Sequence, residues 1–404
     1  MDILVMDGFR APRIRAPSRR ASPWVVMALC LPLAATAAEG DTFRPVVFAS
    51  YGYDDNLFRV ADNAEALLVL GTTDKADSYL RYGVGFDIDW HLSRQQFIVK
   101  GQTSRTRFDR YTTLDYDGHD LSGEWRWQVG NQWNGRLGMA RSTSQGSYTE
   151  LQQLISNTRT LDSQFFEASY WFHSRWRAGL KMRHETSDYS ASTLATDNSE
   201  SDSTVLGLYR DGRAIGYSGI EVRAGRLNYP NRPINATLDN AFDEMGISYV
   251  TVWNPSGKSR MNLRLGLQKR EGRNLNYTTD SLDVDVDGAM AVSGKTSLSA
   301  GIFRRLRSED FSGANTTTTT GVNLGLQWQA LPKTRIAVTF KVQNVGYDPN
   351  NRQDDVVTTS IGADYQPLPG AMLSIGLMHD RRGSNQPWLE YTSNSAFLSA
   401  TWQF

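Results

Sequence analysis

The amino-acid sequence predicts an all-β fold, a transmembrane antiparallel up-and-down β-barrel of about 18 strands. Three observations support this prediction. Apolar and polar residues alternate in runs of about ten residues, the length that a tilted strand needs to cross a bilayer. The connections between these runs alternate between short and long, and the alternation of side chains continues to the final residue. A closed barrel satisfies its backbone hydrogen bonds within lipid, because it has no free sheet edge.

The first segment of the chain is typical of a secretory signal peptide. Five arginines in the first 20 residues precede the apolar run PWVVMALCLPLAATAA, which is too short to span a membrane as a mature helix. Ala35 and Ala37 then give an A-x-A cleavage pattern. We therefore expect residues 1–38 to be a signal peptide and residues 39–404 to form the barrel.

The composition argues against a strongly basic nucleic-acid-binding protein. Lys and Arg together number 43, as do Asp and Glu, and loss of the arginine-rich signal leaves the chain slightly acidic. The single cysteine, Cys30, lies inside the predicted signal, and bulky Leu29 before it argues against a lipoprotein anchor. The mean hydropathy of −0.46 fits a soluble protein. It also fits a barrel in which every second residue faces a polar interior.

The strands are predicted from period-two alternation. In LRYGVGFDIDW every second residue from Leu80 to Trp90 is apolar, while Asp87 and Asp89 point to the other side. The same pattern recurs in LSGEWRWQV, WRAGLKMR, MNLRLGLQ, LDVDVDGAM, VNLGLQW and RIAVTFKV. A soluble β-sandwich or propeller would also alternate, but its connections would not sort by length along the chain.

The connections do sort by length. Short ones lie around residues 91–94, 130–131, 174–175, 212–216, 254–259, 293–295, 331–333 and 366–370. Longer polar ones, such as 54–77 and 187–203, alternate with them, as the external loops of outer-membrane barrels alternate with periplasmic turns. Aromatic residues beside the short turns predict a girdle at the membrane interface: Trp90, Trp133, Trp176, Trp253, Trp328, Tyr365 and Trp402.

The last eight residues, FLSATWQF, alternate up to Phe404. In a closed barrel the last strand must pair with the first, so we interpret this segment as the closing strand. Trp402 and Phe404 are similar to the C-terminal signal that the barrel-assembly machinery recognises. We therefore expect that machinery and the outer-membrane lipids to be partners of this chain.

Charged residues on the polar side of the strands are candidates for lining the lumen. Parity along each strand places the following eight inside: Arg126, Arg136, Arg177, Lys181, Arg183, Asp283, Asp285 and Asp287. The cations concentrate in the fourth to seventh strands, whereas the three aspartates make one acidic strand. These charges fit either a salt-bridged wall that stiffens the barrel or a transverse field that favours polar or acidic glycans.

Enzymatic and metal sites have weak support in the sequence. No H-E-x-x-H, P-loop or dinucleotide motif is present. His184, near Ser187 and Asp188, is the best-placed of five histidines for catalysis, but adjacency in sequence does not assemble a triad. In YGYDDNLFR, the side chains of Asp54, Asp55 and Asn56 could bind a cation, or these residues could begin the first external loop. The sequence therefore predicts no enzyme, no metal and no cofactor.

Two stretches resemble a known family. SYGYDDNLFRV and FDIDWHLSRQQFIVKGQTSRTRFDRYTTLDYDGHDLSGEWRWQVGN are similar to the outer-membrane barrels encoded with exosortase and extracellular-polysaccharide genes, the EpsL-type putative β-barrel porins. The resemblance implies a role in biosynthesis and export of exopolysaccharide in the outer membrane of a Gram-negative bacterium, with the polymer and periplasmic export proteins as partners. It supplies no catalytic or binding residues.

Four functions remain open at this stage. The resemblance favours a porin-like conduit for exopolysaccharide. A general diffusion porin, a plugged structural scaffold of the export complex, and an outer-membrane enzyme that modifies lipid or glycan are the alternatives.

Overall fold

The structure is a computed structural model that describes residues 42–212, 216–308 and 311–404. The predicted signal peptide, residues 1–38, lies outside the described residues, so its boundary with the barrel stays a prediction.

The described residues form one sheet of 18 antiparallel strands that closes on itself, which confirms the predicted fold class. In chain order the strands are β1 Phe43–Asp54, β2 Asp77–Leu92, β3 Gln95–Phe108, β4 Tyr116–Val129, β5 Trp133–Gln145, β6 Thr158–His173, β7 Trp176–Tyr189, β8 Ser199–Gly212, β9 Gly216–Asn228, β10 Ala241–Ser256, β11 Ser259–Gly272, β12 Thr278–Ala291, β13 Thr296–Arg307, β14 Thr316–Leu331, β15 Thr334–Asp348, β16 Arg352–Tyr365, β17 Ala371–Ser384 and β18 Tyr391–Gln403. Each strand pairs with its neighbours in sequence. The topology is therefore up-and-down, as the alternation predicts.

The barrel closes between β1 and β18. Their register runs from Val46 opposite Gln403 to Asp54 opposite Ser395, and the Phe404 N–H donates to the carbonyl of Pro45 at 2.9 Å. The segment FLSATWQF is thus the closing strand, as predicted. The recognition of its end by the assembly machinery stays a prediction.

The connections define two ends of the barrel. At the turn end they are short, for example residues 93–94 and 174–175. At the loop end lie nine connections, named L1 to L9: residues 55–76, 109–115, 146–157, 190–198, 229–240, 273–277, 308–315, 349–351 and 385–390. Their positions alternate as predicted, but L8, residues 349–351, is as short as the turns.

Little helix is present in the described residues. In L1, helix α1 (Asn63–Leu70) begins at Asp62, whose carboxylate accepts hydrogen bonds from two backbone N–H groups of the first turn. It ends at Gly71, which adopts the left-handed conformation that glycine tolerates (φ 73°). In L3, α2 is the single turn Tyr148–Leu151. Three 3-10 turns complete the loops: Thr112–Leu114, Ser192–Asp197 and Pro387–Leu389. None of the described helices has the length and apolar character needed to cross a bilayer.

The outer face of the barrel is apolar. Large exposed side chains such as Leu206, Ile247, Leu267 and Ile375 form a band around it, which is typical of a barrel in contact with lipid. Six of the seven predicted girdle residues are more than a third exposed and lie at the turn end: Trp90, Trp133, Trp176, Trp253, Trp328 and Tyr365. Stacked pairs join some of the aromatic residues, including Trp133 with Tyr170 at 4.5 Å between ring centroids.

Candidate functional site

The inner face of the barrel carries the predicted cations, and each of the five has an acidic partner. Two pairs lie within one strand: Arg126 with Glu124 on β4, and Arg183 with Glu185 on β7 (3.2 Å). Three pairs join different strands: Arg136 of β5 with Glu167 of β6 (2.7 Å), Arg177 of β7 with Asp211 of β8 (3.2 Å), and Lys181 of β7 with Glu221 of β9 (3.0 Å). The wall is therefore charged but locally neutral. This arrangement weakens the case for a long-range transverse field and favours a salt-bridged wall.

Two of these cations also contact other groups. The Arg177 guanidinium lies 4.2 Å from the ring centroid of Tyr209 and 4.8 Å from that of Tyr217, which is within the range of a cation–π interaction. Glu221 accepts from Lys181 and also from Arg264 at 2.6 Å. Cations from β7 and β11 thus share one carboxylate and hold the wall at this position.

Two of the three aspartates on the acidic strand β12 also bond to neighbouring side chains. Asp285 forms an ion pair with Arg305, and Asp287 accepts a hydrogen bond from the Asn262 amide at 2.8 Å. Asp283 lies on the same face, next to them along the strand. The predicted residues all lie on the inner face, the cations on β4, β5 and β7 and the aspartates on β12 across the barrel. Their role in contacting a ligand stays a prediction.

A cavity of about 500 Å³ opens at the turn end of this wall. It is lined by polar residues including His91, Arg94, Arg126, Arg136 and Glu167. The Arg126 side chain is 52% exposed and that of Arg136 is 40% exposed. Water and polar solutes can therefore reach the paired charges from this end.

The loop end is built differently, because its loops pack into an apolar cluster. Phe58 and Val60 of L1 are fully buried there, with Leu114 of L2. The Phe58 ring meets Tyr111 at 4.8 Å and Tyr148 at 4.9 Å, in edge-on geometry. Loops L1 to L4 share this cluster, and Phe311 of L7 packs against it. We call this assembly of loops the lid.

A buried ionic cluster fixes L3 across the lumen. Glu150 of L3 accepts hydrogen bonds from Arg352 of β16 at 2.6 Å and from Arg382 of β17 at 2.6 Å. Asp354 completes the cluster beside Arg352. The two arginine side chains are 3% and 1% exposed. Since β16 and β17 lie across the barrel from β5 and β6, these bonds hold L3 over the interior.

A second, polar hub joins L5, L6 and L7. The Asn315 amide donates to the Thr237 carbonyl at 2.8 Å, and its oxygen accepts from the Asp239 N–H at 2.9 Å. The Asp239 carboxylate accepts from the backbone N–H groups of Asn274 and Leu275. Burial alone would raise the pKa of Asp239, but these hydrogen bonds and that from the Asn274 side chain lower it below its ordinary value. The carboxylate is therefore held ionised in this hub at the loop end.

The motif YDDNLFR anchors the lid to the barrel seam. Asp54 accepts from Ser393 at 2.8 Å and pairs with Arg59 at 2.9 Å. The Asn56 amide donates to the carbonyls of Val60 at 2.7 Å and Thr392 at 3.0 Å. The motif is thus a buried, hydrogen-bonded turn, whereas the sequence favoured a hydrated loop start. Its oxygen atoms are engaged by the protein itself, so the cation alternative has no structural support.

His184 does not form a catalytic arrangement with its sequence neighbours. Its ring lies 2.9 Å from Asp202, on the same face as Met182, which is 47% exposed in the apolar outer band. Ser187 points inward, where its hydroxyl accepts from Arg159. Glu200 lies beside His184 and Asp202, but these groups are at the outer surface. His184 and Ser187 therefore lie on opposite faces of β7 and form no triad in this part of the described structure.

Sequence reasoning missed the inward-facing phenylalanines. Phe48, Phe165, Phe303 and Phe397 occupy positions of the polar inner face. Each stands in an apolar doublet, Val-Phe, Phe-Phe, Ile-Phe or Phe-Leu. Because side chains alternate across a strand, two adjacent apolar residues must place one of them inside. The doublets were the available signal.

Comparison with solved structures finds the same fold in outer-membrane β-barrels. OpdK of Pseudomonas aeruginosa, solved with vanillate, has a TM-score of 0.51 and 9% identity, covering 90% of this chain and 99% of that one. OccK2 (OpdF) of the same organism, in complex with glucuronate, has a TM-score of 0.51 and 7% identity, covering 91% and 99%. OccAB4 of Acinetobacter baumannii has a TM-score of 0.50 and 7% identity, covering 90% and 99%. No family model and no curated protein matches the chain.

The chain is thus a closed 18-stranded antiparallel β-barrel with the fold of the outer-membrane porins. At this level of identity the similarity defines the fold alone.

Proposed function

We propose that this protein is a porin-like barrel of the outer membrane that assists biosynthesis or export of an exopolysaccharide without catalysing a reaction. The observation that carries the proposal is the lid, which L3 closes through Glu150, Arg352 and Arg382. A wide barrel with packed external loops suits a conduit that opens for a specific cargo. The resemblance of SYGYDDNLFRV and the following strands to exosortase-associated barrels supports the polymer as that cargo.

Single-channel conductance of the refolded barrel tests this function. We expect the wild type to show little steady conductance, and Glu150→Gln to show a large conductance that added host exopolysaccharide blocks. The control is Glu185→Gln, which removes an acid from a pair on the open wall, with Arg183 at 3.2 Å. It should behave like the wild type, because it leaves the lid intact.

Two results would decide for the alternatives. A large, steady wild-type conductance that polymer does not alter would identify a general diffusion porin, which the porin fold also fits. Silence of both the wild type and Glu150→Gln, with folding shown by heat-modifiable gel mobility, would identify a plugged scaffold. Crosslinking would then be expected to recover periplasmic export proteins. An enzyme is disfavoured because His184 faces outward, and turnover lost on its substitution would reverse that conclusion.

The five paired cations are proposed as a polar surface along which the polymer moves. Replacing Arg126, Arg136, Arg177, Lys181 and Arg183 by Ser should reduce export while the barrel still folds, because the backbone pairing of the strands is unchanged and the buried Glu221 keeps Arg264 at 2.6 Å. Polymer secretion measured in cells that hold normal barrel levels tests this expectation. Unchanged secretion would contradict it.

A further inference from the structure

The inward-facing phenylalanines lie flat against the wall, and neighbouring glycines make this possible. Phe48 covers Gly83 on β2, and Phe397 covers Gly376 on β17. A Cβ atom at either glycine would collide with the ring. A flat ring leaves one face toward the lumen, so these positions present aromatic surface without narrowing the barrel.

Phe48 and Phe397 lie on the two strands that close the barrel, four residues apart along the strand direction, because Phe48 is opposite Thr401. They belong to β1 and β18, which pair directly, with Phe397 opposite Gly52. Both rings are half-buried. The Arg81 guanidinium lies 5.4 Å from the Phe48 ring centroid and is directed to Ser104 at 3.1 Å.

Hydroxyl groups surround the two rings. The inner face of β18 reads Ser395, Phe397, Ser399 and Thr401. Within the described part of the chain, the hydroxyls of Ser395 and Ser399 make no hydrogen bond. They are half-buried and can bond to a solute. Apart from Arg81, this sector of the wall is therefore aromatic and hydroxylic, in contrast to the paired charges of β4 to β9.

The chemistry of this sector matches an uncharged sugar. The C–H face of a pyranose ring packs on a flat aromatic surface, and its hydroxyls exchange hydrogen bonds with serine side chains. We propose that the inner wall at the β18–β1 closure is a glycan-binding site in which Phe48 and Phe397 are platforms for neutral sugar rings. The inference rests on the proposed function, because the conducted glycan is its ligand.

Phe303 gives a matched control within the same chain. It covers Gly321 as the other rings cover their glycines, but it is only 7% exposed. Arg305 and Lys341 lie 4.8 and 5.5 Å from its ring centroid. Replacing Phe303 uncovers Gly321, as replacing the other rings uncovers their glycines. It removes no ring surface that a sugar can reach, because Phe303 is buried.

The test is calorimetric titration of the refolded full-length barrel with cellohexaose, a neutral glucose hexamer. We expect Phe48→Leu/Phe397→Leu to weaken binding about tenfold relative to the wild type, since two aromatic contacts are lost. Phe303→Leu should bind like the wild type. Phe48→Tyr/Phe397→Tyr should retain binding, because the rings are kept, and it covers the case in which the leucine variant does not fold. Folding of each variant is checked by heat-modifiable gel mobility.

Three results would overturn the inference: no binding by the wild type, unchanged binding by the double leucine variant, or equal loss in Phe303→Leu. If the tyrosine variant folds and does not bind, the platform role of the rings also falls. The proposed function is judged separately, by polymer secretion from cells that lack the protein. Unchanged secretion would remove the export role while leaving a sugar site in the lumen.

Discussion

At the loop end of the barrel the inward-facing side chains are buried, whereas at the turn end they stay in contact with solvent. Arg382 at the loop end is 1% exposed in an ionic cluster, and Arg136 at the turn end is 40% exposed in a pair of the same chemistry. The same type of arginine–glutamate pair therefore contributes differently at the two ends. Buried pairs are costly to break and fix a conformation, while exposed pairs add little and leave a wettable surface.

Loss of the apolar contacts in the lid should have the largest effect. We expect Phe58→Ala to destabilise the lid by about 3–5 kcal/mol, because a fully buried ring leaves a cavity. Hydrogen exchange should show rapid exchange in L1 to L4, with the central strands still protected. Trp253→Ala, at the 46% exposed girdle, is the matched aromatic control and should leave the lid protected. Equal protection in wild type and Phe58→Ala would show that the lid does not depend on this cluster.

Disrupting the polar hub should have the second largest effect on stability. Asn315→Ala removes two hydrogen bonds from a residue that is 1% exposed, and leaves the Asp239 N–H and the Thr237 carbonyl unpaired. The expected cost is about 1–3 kcal/mol. Limited proteolysis within L5 measures it, and Asn344→Ala, whose amide bonds to Asp355 on an exposed surface, is the control. Similar cleavage in all three proteins would contradict the hub's role.

Acid should loosen the same hub. The pKa of Asp239 lies below its ordinary value of 3.8, so its stabilising effect is complete above that value and is lost as the pH falls through the lowered pKa. A spin label at exposed position Ala236 should gain mobility only in this acidic range. Asp239→Asn should be mobile at all pH values, because an amide nitrogen cannot accept from backbone N–H groups. A label that responds identically in both proteins would refute this assignment.

The turn end should give the smallest effect on stability. Arg136→Gln breaks an ion pair that is partly open to solvent, and we expect a change of about 0–1 kcal/mol. The midpoint of urea unfolding in detergent measures it. A loss as large as that of Phe58→Ala would mean that the two ends do not differ as their burial indicates.

The sequence predicted what repeats along the chain. Strand number, the closing strand and the alternation of turns and loops follow from period-two patterning, which is local. The lid could not be predicted in this way, because Glu150 and Arg352 are separated by 202 positions. No local pattern in either segment indicates that the two side chains are in contact. Parity placed Arg136 and Lys181 on the inner face but not beside Glu167 and Glu221. That pairing depends on the register between strands.

The seam between β1 and β18 also sets the order in which the protein can mature. Asn56 and Thr392 are joined by a hydrogen bond across 336 positions, so the turn that begins the lid is incomplete until the last strand has arrived. Contacts of such high sequence separation form late and slowly. A chain stalled before β18 would keep two unpaired sheet edges and an unanchored first loop, and would be open to aggregation or proteolysis. The seam hydrogen bond thus couples completion of the barrel to completion of its first loop.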